Sequence, residues 1–162
     1  MLSTLPLILV ASAALVVFGV GEAAQEKGDK ADAQAREAVG QFFKAFQVKD
    51  LEGLMKVVDV PFCREGGKNV EKGDDLKQFF KTALDRRDFS KDKIRITLVT
   101  TLAKLEELEG KFTEAERKAV QGVLGKGHRV VKVEWDRHGE GRHRALIFVR
   151  FQEGKAKVVG II

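Results

Sequence analysis

Residues Ala35 to Phe89 constrain this chain most, because two stretches of helical apolar spacing flank a Pro-bounded, Gly-rich segment. Val39, Phe42, Phe43 and Phe46 recur every three or four residues, and Leu76, Phe79, Phe80, Ala83 and Leu84 repeat that spacing. Side chains so spaced share one face of a helix, and that face must be buried against something. Between the two stretches lies Val60-Pro61-Phe62-Cys63-Arg64-Glu65-Gly66-Gly67-Lys68-Asn69-Val70. Pro61 disfavours helical geometry before it and starts an extended segment in this reading. Gly66-Gly67 is a two-residue hairpin signal, which pairs Phe62–Arg64 with Lys68–Val70.

The spacing predicts a first helix over Asp32–Val48 and a short second one capped by Asp50, with Leu51, Leu54, Val57 and Val58 inward. Gly73-Asp74 opens a third helix that lasts to Arg86. Ile94, Ile96 and Leu98 alternate with Arg95 and Thr97, the pattern of a half-buried strand. Leu102–Gly110 has no decisive period. Thr113 and Glu116 form a capping box, and Ala115, Ala119, Val120, Val123 and Leu124 stripe the helix behind it. Val131, Val133 and Trp135 share a strand face, Arg137–Gly141 turns the chain, and Ala145, Ile147, Val149 and Phe151 return. A last strand covers Val158–Ile162 after the Gly154 turn. Helices followed by consecutive strands make the class α+β, with the closing strands antiparallel. A length of 162 residues suits a single domain.

The first residues read as an address. Leu2–Val20 is apolar apart from Ser3, Thr4, Ser12 and a few small residues, and gives way to Gly21-Glu22-Ala23-Ala24-Gln25-Glu26. That layout fits a secretory signal peptide cut after Ala23, over residues 1–23. It is also close to the ~20 residues that span a bilayer, so an uncleaved anchor is the other reading. Either way the expected location is periplasmic or extracellular. Residues 24–34 are read as a polar, flexible leader, and 35–162 as the folded domain. Cys63 is the chain's single cysteine, so no intramolecular disulfide forms, and burial beside Phe62 is expected.

Charge is unevenly placed. Residues 126–162 hold 9 of the 29 Lys and Arg but 4 of the 24 Asp and Glu, so the net +5 lies there. The three histidines, His128, His138 and His143, lie there too. Arg137, Arg142 and Arg144 around the turn could hold an anionic partner. No aromatic residues interleave them, so no sequence-specific nucleic-acid partner is expected.

Taken in order, Ala35–Phe46, the acidic break at Asp50, Leu51–Val58 leading into Pro61-Phe62, the Gly66-Gly67 turn, Gly73-Asp74-Asp75-Leu76 and the closing strands resemble the nuclear transport factor 2-like, or polyketide-cyclase-like, family. The resemblance covers Ala31–Ile162. It implies helices packed on a strongly bent antiparallel sheet, a pocket inside the resulting cone, and often a homodimer through the sheet. The helix over Thr113–Leu124 departs from that pattern, as a lid or as cover for a sheet edge.

Candidate chemistry is sparse. Family isomerases pair a pocket tyrosine with an aspartate, and this chain has no tyrosine. Dehydratase-like members use a His–Asp pair, for which Asp136 with His128 or His143 is the candidate. Arg150 interrupts the apolar strand Leu146–Phe151; facing the cone it would anchor a carboxylate or phosphate, and facing out it would be surface charge. Trp135, Cys63 and Phe62 complete the pocket candidates. No metal site is expected, since nothing completes the ligand set of His138 and His143, and no cofactor is expected. The leading expectation is an exported, non-catalytic domain binding a small ligand or protein. The alternatives are a small lyase or isomerase with a His–Asp or Arg-anchored pocket, and an envelope polyanion-binding module.

Overall fold

The computed structural model describes residues 20–66, 68–110, 112–125, 127–137 and 141–162. The apolar run read as an export segment lies, up to Val20, outside the described residues, as do Gly67 and His138. Among the described residues no helix is long and apolar enough to cross a membrane.

The chain runs α1 (Val20–Gln47), α2 (Leu51–Val57), β1 (Val58–Arg64), β2 (Lys68–Val70), α3 (Gly73–Arg86), β3 (Lys93–Thr100), α4 (Leu102–Glu109), α5 (Glu114–Val123), β4 (Arg129–Arg137), β5 (Gly141–Gln152) and β6 (Lys155–Ile161). Local signals account for many of these boundaries. Asp50 accepts the Gly53 N–H at 2.8 Å and starts α2. The Thr113–Glu116 capping box is complete and starts α5. The hairpin joins the two segments expected, pairing Phe62 with Val70, Cys63 with Asn69 and Arg64 with Lys68, with Gly66 at φ 84°; three residues, not two, separate the paired strands.

The strands form one open sheet in the order β2-β1-β6-β5-β4-β3. Its pairings are antiparallel except β1 with β6, so the sheet is mixed. The long excursion between those two strands lets β6 return alongside β1 in the same direction. Pairing of Val58 with Val158 also explains why β1 starts three residues before Pro61. Register shifts fall between Ile96 and Leu98, between Phe148 and Val149, and between Val58 and Cys63. Such irregularities bend strands.

Both faces of the sheet are covered. On one, α1, α2 and α3 bring Val39, Phe42, Phe46, Leu54, Leu76 and Phe80 onto Val131, Val133, Ile147 and Val149. On the other, α4 and α5 bring Leu102, Leu105, Val120 and Val123 onto Cys63, Val130, Phe148 and Val159. This is why Ala145–Val149 is apolar throughout instead of alternating: each successive side chain meets a different core.

Four expectations are revised. The first helix begins at Val20, ahead of Asp32, and takes in residues 24–34; Asp32, inside it, pairs with Arg129 at 2.5 Å. Leu98 does not share a face with Ile94 and Ile96, because the register shift after Ile96 turns it into the second core. The stretch without a period is helix α4, which Thr101 caps through the Lys104 N–H. Finally, α5 is not a lid on the cone. It lies across the opposite sheet face, reaching edge strand β2 where Asn69 Nδ2 donates to Ala119 O at 3.4 Å.

Candidate functional site

Inside the face formed by α1–α3 is a cavity of about 190 Å3. Helix α1 supplies Phe42, Phe43 and Phe46 to it, and α3 supplies Phe79, Phe80 and Ala83. The segment joining α3 to β3 adds Arg87, Phe89 and Asp92, while Ile94, Trp135 and Ile161 line it from the sheet. The rings meet mostly edge to face, as their quadrupoles favour: Phe42–Phe46 at 5.0 Å and 69°, Phe46–Phe89 at 4.9 Å and 61°. For scale, an engineered apolar cavity of about 150 Å3 stays dry and binds benzene. A wider depression of about 400 Å3 shares Phe79, Trp135 and Ile161 with the cavity and adds Arg64, whose guanidinium lies 5.5 Å from the Phe79 ring centre.

One charged pair meets the cavity. Arg87 Nη2 donates to Asp92 Oδ2 at 2.5 Å, and the Asp92 side chain is only 6% exposed. The Arg87 guanidinium also lies 4.2 Å from the Phe89 ring centre, a cation–π distance. Gln47 Nε2 donates to Asp92 O at 2.8 Å, tying this segment to the end of α1. The two charges therefore neutralise each other, and what faces the cavity is aromatic and aliphatic carbon.

No family model matches the chain, and no curated protein matches it. Solved structures do match. A ketosteroid isomerase-like protein from Erwinia carotovora atroseptica superposes with a TM-score of 0.53 at 11% identity, covering 80% of this chain and 92% of that one. The fold is nuclear transport factor 2-like. A nuclear transport factor 2-like protein of unknown function from Methylobacillus flagellatus matches at 0.50 and 12%, covering 90% and 93%. Another of unknown function, from Shewanella oneidensis, matches at 0.51 and 12%, covering 80% and 94%.

Within this nuclear transport factor 2-like frame the residues singled out from sequence are scattered. Trp135 lines the cavity, 6.5 Å from Phe43 between ring centres. Phe62 is buried behind it, edge-on to Phe80 at 5.4 Å. Cys63 and Arg150 belong to the opposite face. Arg150 donates to Asp59 Oδ2 at 2.7 Å, Val60 O at 3.0 Å and Val123 O at 3.3 Å, which ties β5 to β1 and to the end of α5. His143 faces the cone and stacks on Trp135 at 5.6 Å and 19°. Asp136 alternates to the other side, beside Arg95 and Arg142. His128 precedes β4 and serves α4: its Nε2 accepts the Leu102 N–H at 3.4 Å and its Nδ1 lies 3.0 Å from Gly125 O. Neither histidine is brought to Asp136.

Arg142 and Arg144 of the closing hairpin have acidic neighbours. Arg144 lies 3.1 Å from Glu134, and Arg142 lies 3.7 Å from Asp136. Arg137 occupies the register position opposite Gly141.

Burial pushes the Cys63 thiol up, so little thiolate is present at neutral pH. Cys63 should therefore resist a thiol reagent such as DTNB in the folded protein and react promptly in urea. Fast reaction in native buffer would mean that α5 leaves the sheet readily.

The sequence reading missed Arg87, Phe89 and Asp92. Lys, Arg and Asp after a helix ordinarily mark a solvated loop. The available signal was Phe89, an aromatic residue set between opposite charges in Arg87-Asp88-Phe89-Ser90-Lys91-Asp92.

Proposed function

We propose that this protein is an exported, non-catalytic domain that binds a small apolar molecule inside its cone. The reading is carried by the aromatic cavity, whose lining among the described residues holds one charged pair, Arg87 with Asp92, and is otherwise carbon. The chain's lack of tyrosine, and the separation of Asp136 from His128 and His143, support binding over isomerase or dehydratase chemistry. Export rests on the apolar run Leu2–Val20.

Trp135 makes the test simple, because it is the chain's only tryptophan and it lines the cavity. Ethylbenzene titrated into the purified protein should change Trp135 emission saturably. Ala83→Phe, which fills the same cavity, should abolish that change while keeping the circular dichroism spectrum. Binding that Ala83→Phe leaves intact would place the ligand elsewhere. Deletion of residues 2–20 should leave the protein in the cytosolic fraction.

A further inference from the structure

We infer that the Arg87–Asp92 pair makes the cone selective for neutral ring compounds; this rests on the cavity being the binding site. The volume, about 190 Å3, matches a small ring compound and not an extended chain. The walls suit a planar partner, since Phe42, Phe46, Phe80 and Phe89 present ring edges and faces that pack against another aromatic ring.

Charge decides the rest. Arg87 donates through Nη2 to Asp92 and lays its guanidinium face on Phe89, while its Nε–H is buried without a partner. A ligand carboxylate accepting from that Nε–H would stand beside the Asp92 carboxylate, two anions sharing one buried guanidinium. A ligand ammonium would have to displace Arg87 from Asp92. Either ion leaves one buried charge uncompensated, which is costly in a site lined by carbon. A neutral ring disturbs neither group. Arg87 and Asp92 thus act as specificity determinants by cancelling each other's charge.

Three probes of similar size separate these cases: ethylbenzene, benzoate and benzylamine, each followed by Trp135 emission and by calorimetry. The wild-type protein should bind ethylbenzene at least about tenfold more tightly than either ion, the scale of one hydrogen bond to a charged group. Asp92→Asn leaves Arg87 without a counter-charge, so benzoate should gain about tenfold relative to ethylbenzene. Arg87→Met leaves Asp92 unpaired, and benzylamine should gain by a similar factor. The two variants are complementary, so one that fails to fold does not remove the test. If the wild type binds benzoate or benzylamine as well as ethylbenzene, or if a folded variant keeps the wild-type ratios, the selectivity argument is overturned while the cavity remains the site. If no probe alters Trp135 emission in the wild type, both the selectivity and the cone-binding reading fall.

Discussion

Replacing Phe80 with alanine should lower the unfolding free energy by about 3–5 kcal/mol, the usual range for truncating a buried aromatic side chain. Phe80 is 1% exposed and stands where the helices and the sheet meet. Its ring lies 5.4 Å from Phe62, 5.7 Å from Phe46, 5.9 Å from Phe42 and 5.2 Å from Phe79, with interplanar angles from 61° to 83°. The truncation removes all four edge contacts together. It also opens space beside an existing cavity, where the neighbouring rings, themselves held by backbone elements, cannot collapse to fill it. Domains of this size are stable by only about 5–15 kcal/mol, so the variant should sit near the edge of folding. Urea denaturation followed by circular dichroism checks this: the midpoint should fall with little change in slope. A loss below about 1 kcal/mol would mean that the ring cluster does not hold α3 on the sheet.

Gly160→Val should be comparably damaging, by about 3 kcal/mol, at the upper end for overpacking a closed site. Gly160 pairs with Cys63 of β1 on one side and Phe148 of β5 on the other. A β-carbon there would come within 2.9 Å of both Cys63 Cβ and the Cys63 carbonyl oxygen, and within 3.0 Å of Phe148 Cδ2. Backbone cannot step aside without breaking the β1–β6 pairing, so the clash is paid in strand separation. Gly160→Ala should cost less, since it adds the β-carbon alone. Thermal melts of the two variants should rank wild type, alanine, valine, and equal melting temperatures would show that β1 and β6 have slack the geometry does not suggest.

Much of the helical part was legible because its instructions are local. The Phe42–Phe46 and Leu76–Leu84 spacings select one face of a helix within a few residues. Asp50 and Thr113 cap the N–H groups directly ahead of them, and Gly66 takes the positive φ that its hairpin needs. The order of these elements was enough to suggest a nuclear transport factor 2-like cone, and the solved structures agree with that fold. The candidate site was legible only at Trp135. Its other distinguishing groups, Arg87, Phe89 and Asp92, are unremarkable in the chain and acquire meaning when α1 and β4 close over them.

Periodicity, caps and turn residues therefore decided most of the helices, where the first hairpin turns and which side chains seek a core. Tertiary structure alone decided which core they reach. Alternation assigns Arg150 and Ile147 to opposite sides of a strand, yet only the position of α5 makes the Arg150 side a tie among β1, β5 and α5. The register shift after Ile96 sends Leu98 to a face its spacing does not announce. The parallel pairing of β1 with β6 joins segments about a hundred residues apart. Local rules act through bonds and contacts a few residues long. The assignment of faces, the second core and the charge balance of the cavity depend on neighbours that only the folded chain brings within reach.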